Sequence, residues 1–375
     1  MTAVDRRYFL AMAGGAAAAM PSLVRAAPAA PDMIIVNALG GLANPNPSKD
    51  WGAERPGFEA RVIADARGSG VTAINCTLGY VSGDMEPFEY SVRDIGLWDR
   101  RLRAHPGDLL KVLTAADIPR ARAEGKIGII YGFQNAAMMG ARPDRVEIFA
   151  DLGVRVIQLT YNPANSIGDG AMAPLNRGLT PLGRKLVERL NAQRIMVDLS
   201  HSGERTCLEA ARASRQPISI NHTGCRALTD LPRNKSDAEL RLVAERGGFV
   251  GIYFMPFLSP DSVATAEDVV AHIDHAVKVC GEDHVGIGTD GGLTRVDDMA
   301  GYRRLIAGEI EERRKAGIGA KGENPDTLPF VEELQGPSQF RDLAERLRRR
   351  GYSERRVEKI MGLNFLAYAR EVWGA

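Results

Sequence analysis

The sequence of 375 residues has almost no excess charge, with 48 Lys and Arg against 47 Asp and Glu. A net charge of +1 excludes a broad field that would draw nucleic acid or an anionic bilayer, so the expected partner is a small molecule. Cys-x-x-Cys spacing is also missing. The four cysteines, Cys76, Cys207, Cys225 and Cys280, lie far apart, which excludes a zinc ribbon or dithiol redox site and leaves buried thiols as the plain reading. No internal repeat or low-complexity tract is present, and beyond the first 30 residues no apolar run approaches the roughly 20 residues a membrane span needs. What is present is an ordinary globular composition, 45% hydrophobic and 25% charged, which excludes disorder, collagen and coiled coil.

Residues 1–30 stand apart. Arg6-Arg7 is followed by Phe9-Leu10, a short apolar run from Ala11 to Met20, and small residues around Ala27-Pro28-Ala29. That order reads as a twin-arginine export signal, so the mature chain is expected in a periplasm or outside the cell. An N-terminal anchor helix is the alternative, disfavoured because the apolar stretch is too short to span.

From residue 31 to 375 the pattern predicts a single (β/α)8 TIM-barrel domain. Eight short apolar or β-branched runs recur, at 33–36, 71–76, 127–132, 154–160, 195–199, 217–220, 249–254 and 285–288, with helical periodicity between several of them. Continuous rather than alternating apolar runs suit parallel strands buried on both faces. A doubly wound sheet is the alternative, but Asn37-Ala38-Leu39-Gly40-Gly41 is not the glycine-rich phosphate turn such a sheet carries after its first strand. Residues 294–330, polar and charged, read as an insertion or lid. Helices over 338–375 are expected to close the domain by packing on its outside.

In such a barrel the chemistry sits where strands stop at the C-terminal face. His201 follows the fifth predicted strand, His222 the sixth and Asp290 the eighth. Two imidazoles and a carboxylate converging there could hold one zinc or similar ion, whereas either histidine alone would more simply be satisfied by hydrogen bonds. His105, His272, His275 and His284 read as structural.

The runs Gly178-Leu179-Thr180-Pro181 and Asp198-Leu199-Ser200-His201, then Asn221-His222-Thr223, Pro232-Arg233-Asn234, Gly288-Thr289-Asp290 and Gly362-Leu363-Asn364, resemble the membrane dipeptidase family of metallopeptidases, amidohydrolase-like (β/α)8 barrels. The resemblance implies two zinc ions, a substrate-gripping arginine at Arg233, and second-site ligands at His201 and His222 with Asp290 as the final aspartate. It also adds a homodimer as an expectation. The sequence departs from the family elsewhere: Leu39 and Gly41 stand where the resemblance places His and Asp, Gln134 replaces the bridging Glu, and Tyr161 replaces a substrate-side His.

A neutral amide cannot bridge two cations, so Gln134 is at best a weak donor, and the expected cofactor is one zinc or similar ion, or none. The resemblance implies hydrolysis of a small dipeptide-like amide or lactone, with Asp290 and Tyr161 as catalytic groups and Arg233 and Tyr161 binding substrate. Efficient dipeptidase activity is not expected. The alternatives are a barrel repurposed for a non-hydrolytic step, such as isomerisation or elimination without an essential metal, and a binding protein without turnover.

Overall fold

Parallel strands buried on both faces favour apolar side chains on both, and apart from buried polar residues such as Asn37, Asn75, Asn221 and His222 that is the pattern of the nine strands among the described residues. They are β1 (Val36–Gly40), β2 (Ala73–Leu78), β3 (Leu109–Lys111), β4 (Ile127–Phe133), β5 (Val154–Gln158), β6 (Met196–Asp198), β7 (Ser219–Thr223), β8 (Phe249–Ile252) and β9 (Val285–Ile287). Almost every strand residue is buried. The computed structural model describes residues 33–46, 57–315 and 321–374; the export signal read over 1–30 lies outside the described residues.

The strands pair in parallel in the order β1-β2-β4-β5-β6-β7-β8-β9, and a parallel bridge from Gly40 to Gly291 brings the first and last together. Asp290 N donates to Leu39 O at 2.9 Å and Gly41 N to Gly291 O at 3.1 Å across that seam. This is the expected (β/α)8 barrel with one addition, because β3 pairs with the opening residues of β4 and stands off the main path. Three residues are too few to show a period, so the sequence gives little sign of β3.

Helix ends fall where local chemistry dictates. Thr180 caps the helix Pro181–Ala192 through Gly183 N, with Pro181 in the first turn where its missing N–H loses nothing. Ser236 and Glu239 form a reciprocal capping box at the start of Asp237–Glu245.

The C-terminal helices divide the closing role, which corrects the expectation that they all pack outside. Gln339–Arg349 lies on the exterior, where Arg346 pairs with Glu267. Asn364–Trp373 instead crosses the N-terminal mouth of the barrel. Asn364 Nδ2 donates to the carbonyls of Glu282 and Val285 beside β9, Trp373 Nε1 donates to Arg155 O on β5, and Phe365 and Tyr368 pack on Phe249. The tail motif Gly362-Leu363-Asn364 is therefore structural. At Gly362 a Cβ would lie 2.4 Å from Ile34 O, so only glycine lets the chain pass the start of β1. The C-terminal face is left open, and the cavity described below lies there.

Candidate active site

The turn after β6 is built around a buried carboxylate. Asp198 Oδ1 accepts from Ser200 N, Ser200 Oγ and Asn221 N, and Ser200 Oγ in turn accepts from His222 N at 3.0 Å. This network ties the turn to β7 and fixes His201 beside His222. Their Nε2 atoms are 3.0 Å apart. His201 Nδ1 lies 2.7 Å from Asn162 Oδ1, which makes Nδ1 the protonated nitrogen and leaves Nε2 bare. That bare nitrogen faces two N–H donors, His222 Nε2 and Arg233 Nη2, the latter at 3.2 Å. His222 Nδ1 is buried without a hydrogen-bond partner. Burial first, and the Arg233 charge second, push both imidazoles well below the ordinary histidine range, so both are neutral.

Arg233 is only 4% exposed. Its Nη1 donates to Ser200 O at 2.5 Å. Two residues on, the fully buried Lys235 donates to Ser202 O and pairs with the equally buried Glu239 at 3.2 Å. The loop after β7 thus grips the turn carrying His201 from both sides.

Asp290 sits after β9 with φ of 58°, a left-handed conformation that costs a non-glycine residue free energy and is found at functional sites. Its Oδ2 is 4.0 Å from His222 Nε2. Burial raises its proton affinity, opposed by Arg233 and aided by Asp198, to a pKa of about 6. Tyr161 stacks on His201, ring centroids 4.3 Å apart.

Tyr161, His201, Arg233 and Asp290 line one cavity of about 930 Å³. The structure therefore brings together the predicted residues of the strand ends, with His222 directly behind His201. It separates others. Gln134 Nε2 donates to Thr77 Oγ1 and Gln134 O accepts from Gln158 Nε2, while Leu39 is buried against the barrel seam; neither lines the cavity. His272 accepts from Cys225 N and bonds Leu258 O, and all four cysteines are free and buried.

The sequence reading missed Asn162, although it follows Tyr161 at a strand end, where such residues are sought. It also missed the Lys235–Glu239 pair, whose i,i+4 spacing looks the same as a solvated one. The cavity also takes Ile306, Glu309 and Ile310 from the helix Met299–Lys315, within the segment read as an insertion.

The sequence profile of the membrane dipeptidase family, peptidase family M19, matches residues 73–320. The chain belongs to this family. A dipeptidase of Claviceps purpurea, tcpJ, is 30% identical over 279 residues, 73% of this chain and 56% of that protein, so the chain spans just over half its length. An uncharacterized protein of Klebsiella pneumoniae, from the pqqA 5′ region, is 32% identical over 223 residues, 55% of this chain and 82% of that one. Among solved structures, an amidohydrolase from Pseudomonas aeruginosa superposes with a TM-score of 0.76 at 32% identity, over 92% of this chain and 98% of its own.

Membrane dipeptidases are in general zinc metallopeptidases, and the residues here do not fit a two-zinc centre. Leu39 and Gly41 offer no side-chain donor, and Gln134 is an uncharged amide bonded to Thr77. Nor do they form a three-ligand site for one ion. Among the described residues no group of three or more His, Cys, Asp or Glu could hold a metal. Where a cation would meet His201 Nε2, the Arg233 guanidinium already stands.

Proposed function

We propose that this membrane dipeptidase family member hydrolyses a small carboxylate-bearing amide or lactone of dipeptide-like chemistry, without a step that runs through the two-metal centre. The observation that carries the reading is the meeting of Arg233, Asp290, His201 and Tyr161 on one cavity at the strand ends. Arg233 keeps N–H groups beyond those used on Ser200 O and His201 Nε2, and a guanidinium suits a carboxylate. Asp290, with its pKa near 6, exchanges a proton close to neutrality. In this reading it takes the proton of the attacking water and returns it to the leaving amine or alkoxide. Tyr161 and the neutral His201, backed by His222, form the wall against which the substrate is oriented. Export rests on the Arg6-Arg7 segment alone and belongs to the same reading.

A second reading is favoured by the missing donors at Leu39, Gly41 and Gln134. Without a Lewis acid to carry oxyanion charge, the same Asp290 proton transfer suits isomerisation or elimination. Mass spectrometry of products from carboxylate-bearing dipeptides and lactones separates the two. Hydrolysis adds the mass of one water, and Asp290→Asn lowers the rate at least about 100-fold, the usual size of a positioned acid/base contribution. A product of unchanged mass, or one lacking the elements of water, would overturn hydrolysis. Unchanged turnover in Asp290→Asn would overturn both readings.

A further inference from the structure

We infer that Asn234 is a positioning residue that holds the Arg233 guanidinium against the apolar loop after β8, so that the site selects a ligand whose carboxylate has an apolar side chain on the neighbouring carbon. The inference rests on the proposed role of Arg233 as the carboxylate anchor and adds what stands beside that carboxylate.

Asn234 is fully buried, and every polar atom of its side chain is used. Its Nδ2 donates to Thr229 O and Phe257 O, both at 2.8 Å, and its Oδ1 accepts from the Tyr253 hydroxyl at 2.5 Å. Two carbonyls on one side and a hydroxyl on the other suit an uncharged amide in this orientation. A carboxylate would set oxygen against both carbonyls, and an apolar side chain would remove all three bonds. Gly224 makes room for the amide, since a Cβ there would lie 2.3 Å from Asn234 Oδ1.

These bonds join two walls of the site. Thr229, Arg233 and Asn234 belong to the loop after β7, and Tyr253 and Phe257 to the loop after β8. Thr223 Oγ1 also donates to Arg233 O at 3.1 Å, which fixes the main chain under the guanidinium. Tyr253, Met255, Pro256 and Phe257 line the cavity with Arg233, and the guanidinium carbon lies 6.0 Å from the centre of the Tyr253 ring. A carboxylate held by Arg233 therefore has its neighbouring carbon within a side chain's reach of this wall. An apolar side chain on that carbon is buried against the wall, whereas a hydrogen gains nothing there.

The test is calorimetric titration of the full chain carrying Asp290→Asn, which suppresses turnover in the proposed reaction, with Gly-Gly, Gly-Leu and Gly-Leu amide. Gly-Leu is expected to bind about tenfold more tightly than Gly-Gly, the low end for burying a leucine side chain. Adding Asn234→Ala should bring the two dipeptides to within about threefold. A residue that only stabilised the fold would weaken both alike and leave the ratio near its starting value. Tyr253→Phe, which keeps the ring and removes one hydrogen bond, should lower the ratio about threefold and carries the test if Asn234→Ala does not fold. Equal affinities before these changes, or a ratio that stays unchanged in Asn234→Ala, or in Tyr253→Phe where that alone folds, would overturn the inference. The amide reads the anchor separately. Gly-Leu amide bound as tightly as Gly-Leu removes Arg233 as the carboxylate anchor and this inference with it, whereas weaker amide binding with an unchanged ratio leaves the anchor standing and removes only the role of Asn234. No binding of any of the three overturns both.

Discussion

At the scale of single residues, two buried histidine environments look alike in composition and differ in use. His272 has both ring nitrogens satisfied, by Cys225 N and Leu258 O, whereas His222 Nδ1 has no partner and its other nitrogen faces His201. Burial holds His272 down to a pKa of about 4, against an ordinary value near 6.5. Between those values the unfolded chain binds the proton and the folded chain does not. The stabilisation is therefore full above pH 6.5 and is lost as pH falls toward 4, by at most about 3 kcal/mol. Denaturant unfolding of the parent and of His272→Gln should show the parent's advantage shrinking from pH 7 to pH 4.5. A constant difference would contradict the assignment.

Much of the site was legible at this scale because strand-end chemistry is local in sequence. His201, His222 and Asp290 each close a recognisable apolar run, and all three meet. The contacts that neutralise and orient them are not local. Asn162 reaches His201 across 39 positions and Arg233 across 32, distances over which no periodicity carries information.

At the scale of elements, the barrel's two mouths have opposite fates. The C-terminal mouth stays open as the cavity, and the N-terminal mouth is sealed by Asn364–Trp373. The sealing depends on close passage at Gly362. Gly362→Ala should lower stability by about 1–3 kcal/mol, since its methyl would meet backbone rather than a flexible side chain. Gly308→Ala, in open space on the helix Met299–Lys315, should be neutral or slightly stabilising. Urea midpoints check both, and equal effects at the two sites would contradict the packing argument. Of the nine strands among the described residues all but β3 overlap an apolar run of the sequence, because burial on both faces writes itself into composition. The seal was not, because an amphipathic helix packs on an outer wall or across a mouth with the same pattern.

At the scale of the whole molecule, the fold and the family are those of the membrane dipeptidases, while Leu39, Gly41 and Gln134 carry no imidazole or carboxylate. The profile match over 73–320 and the superposition on a Pseudomonas aeruginosa amidohydrolase fix the architecture. Neither bears on the side chains at 39, 41 and 134. No described helix is long and apolar enough to cross a membrane, and the barrel offers one large cavity on its open face. In the proposed function this cavity works around Arg233 and Asp290 rather than around two zinc ions.

Elemental analysis of the protein, purified without chelators and compared with His201→Ala, tests this. The arrangement of Arg233 against His201 Nε2 leads us to expect no stoichiometric zinc in either sample. Stoichiometric zinc in the parent that disappears in His201→Ala would contradict it, and would mean that the guanidinium gives way to an ion the imidazoles hold.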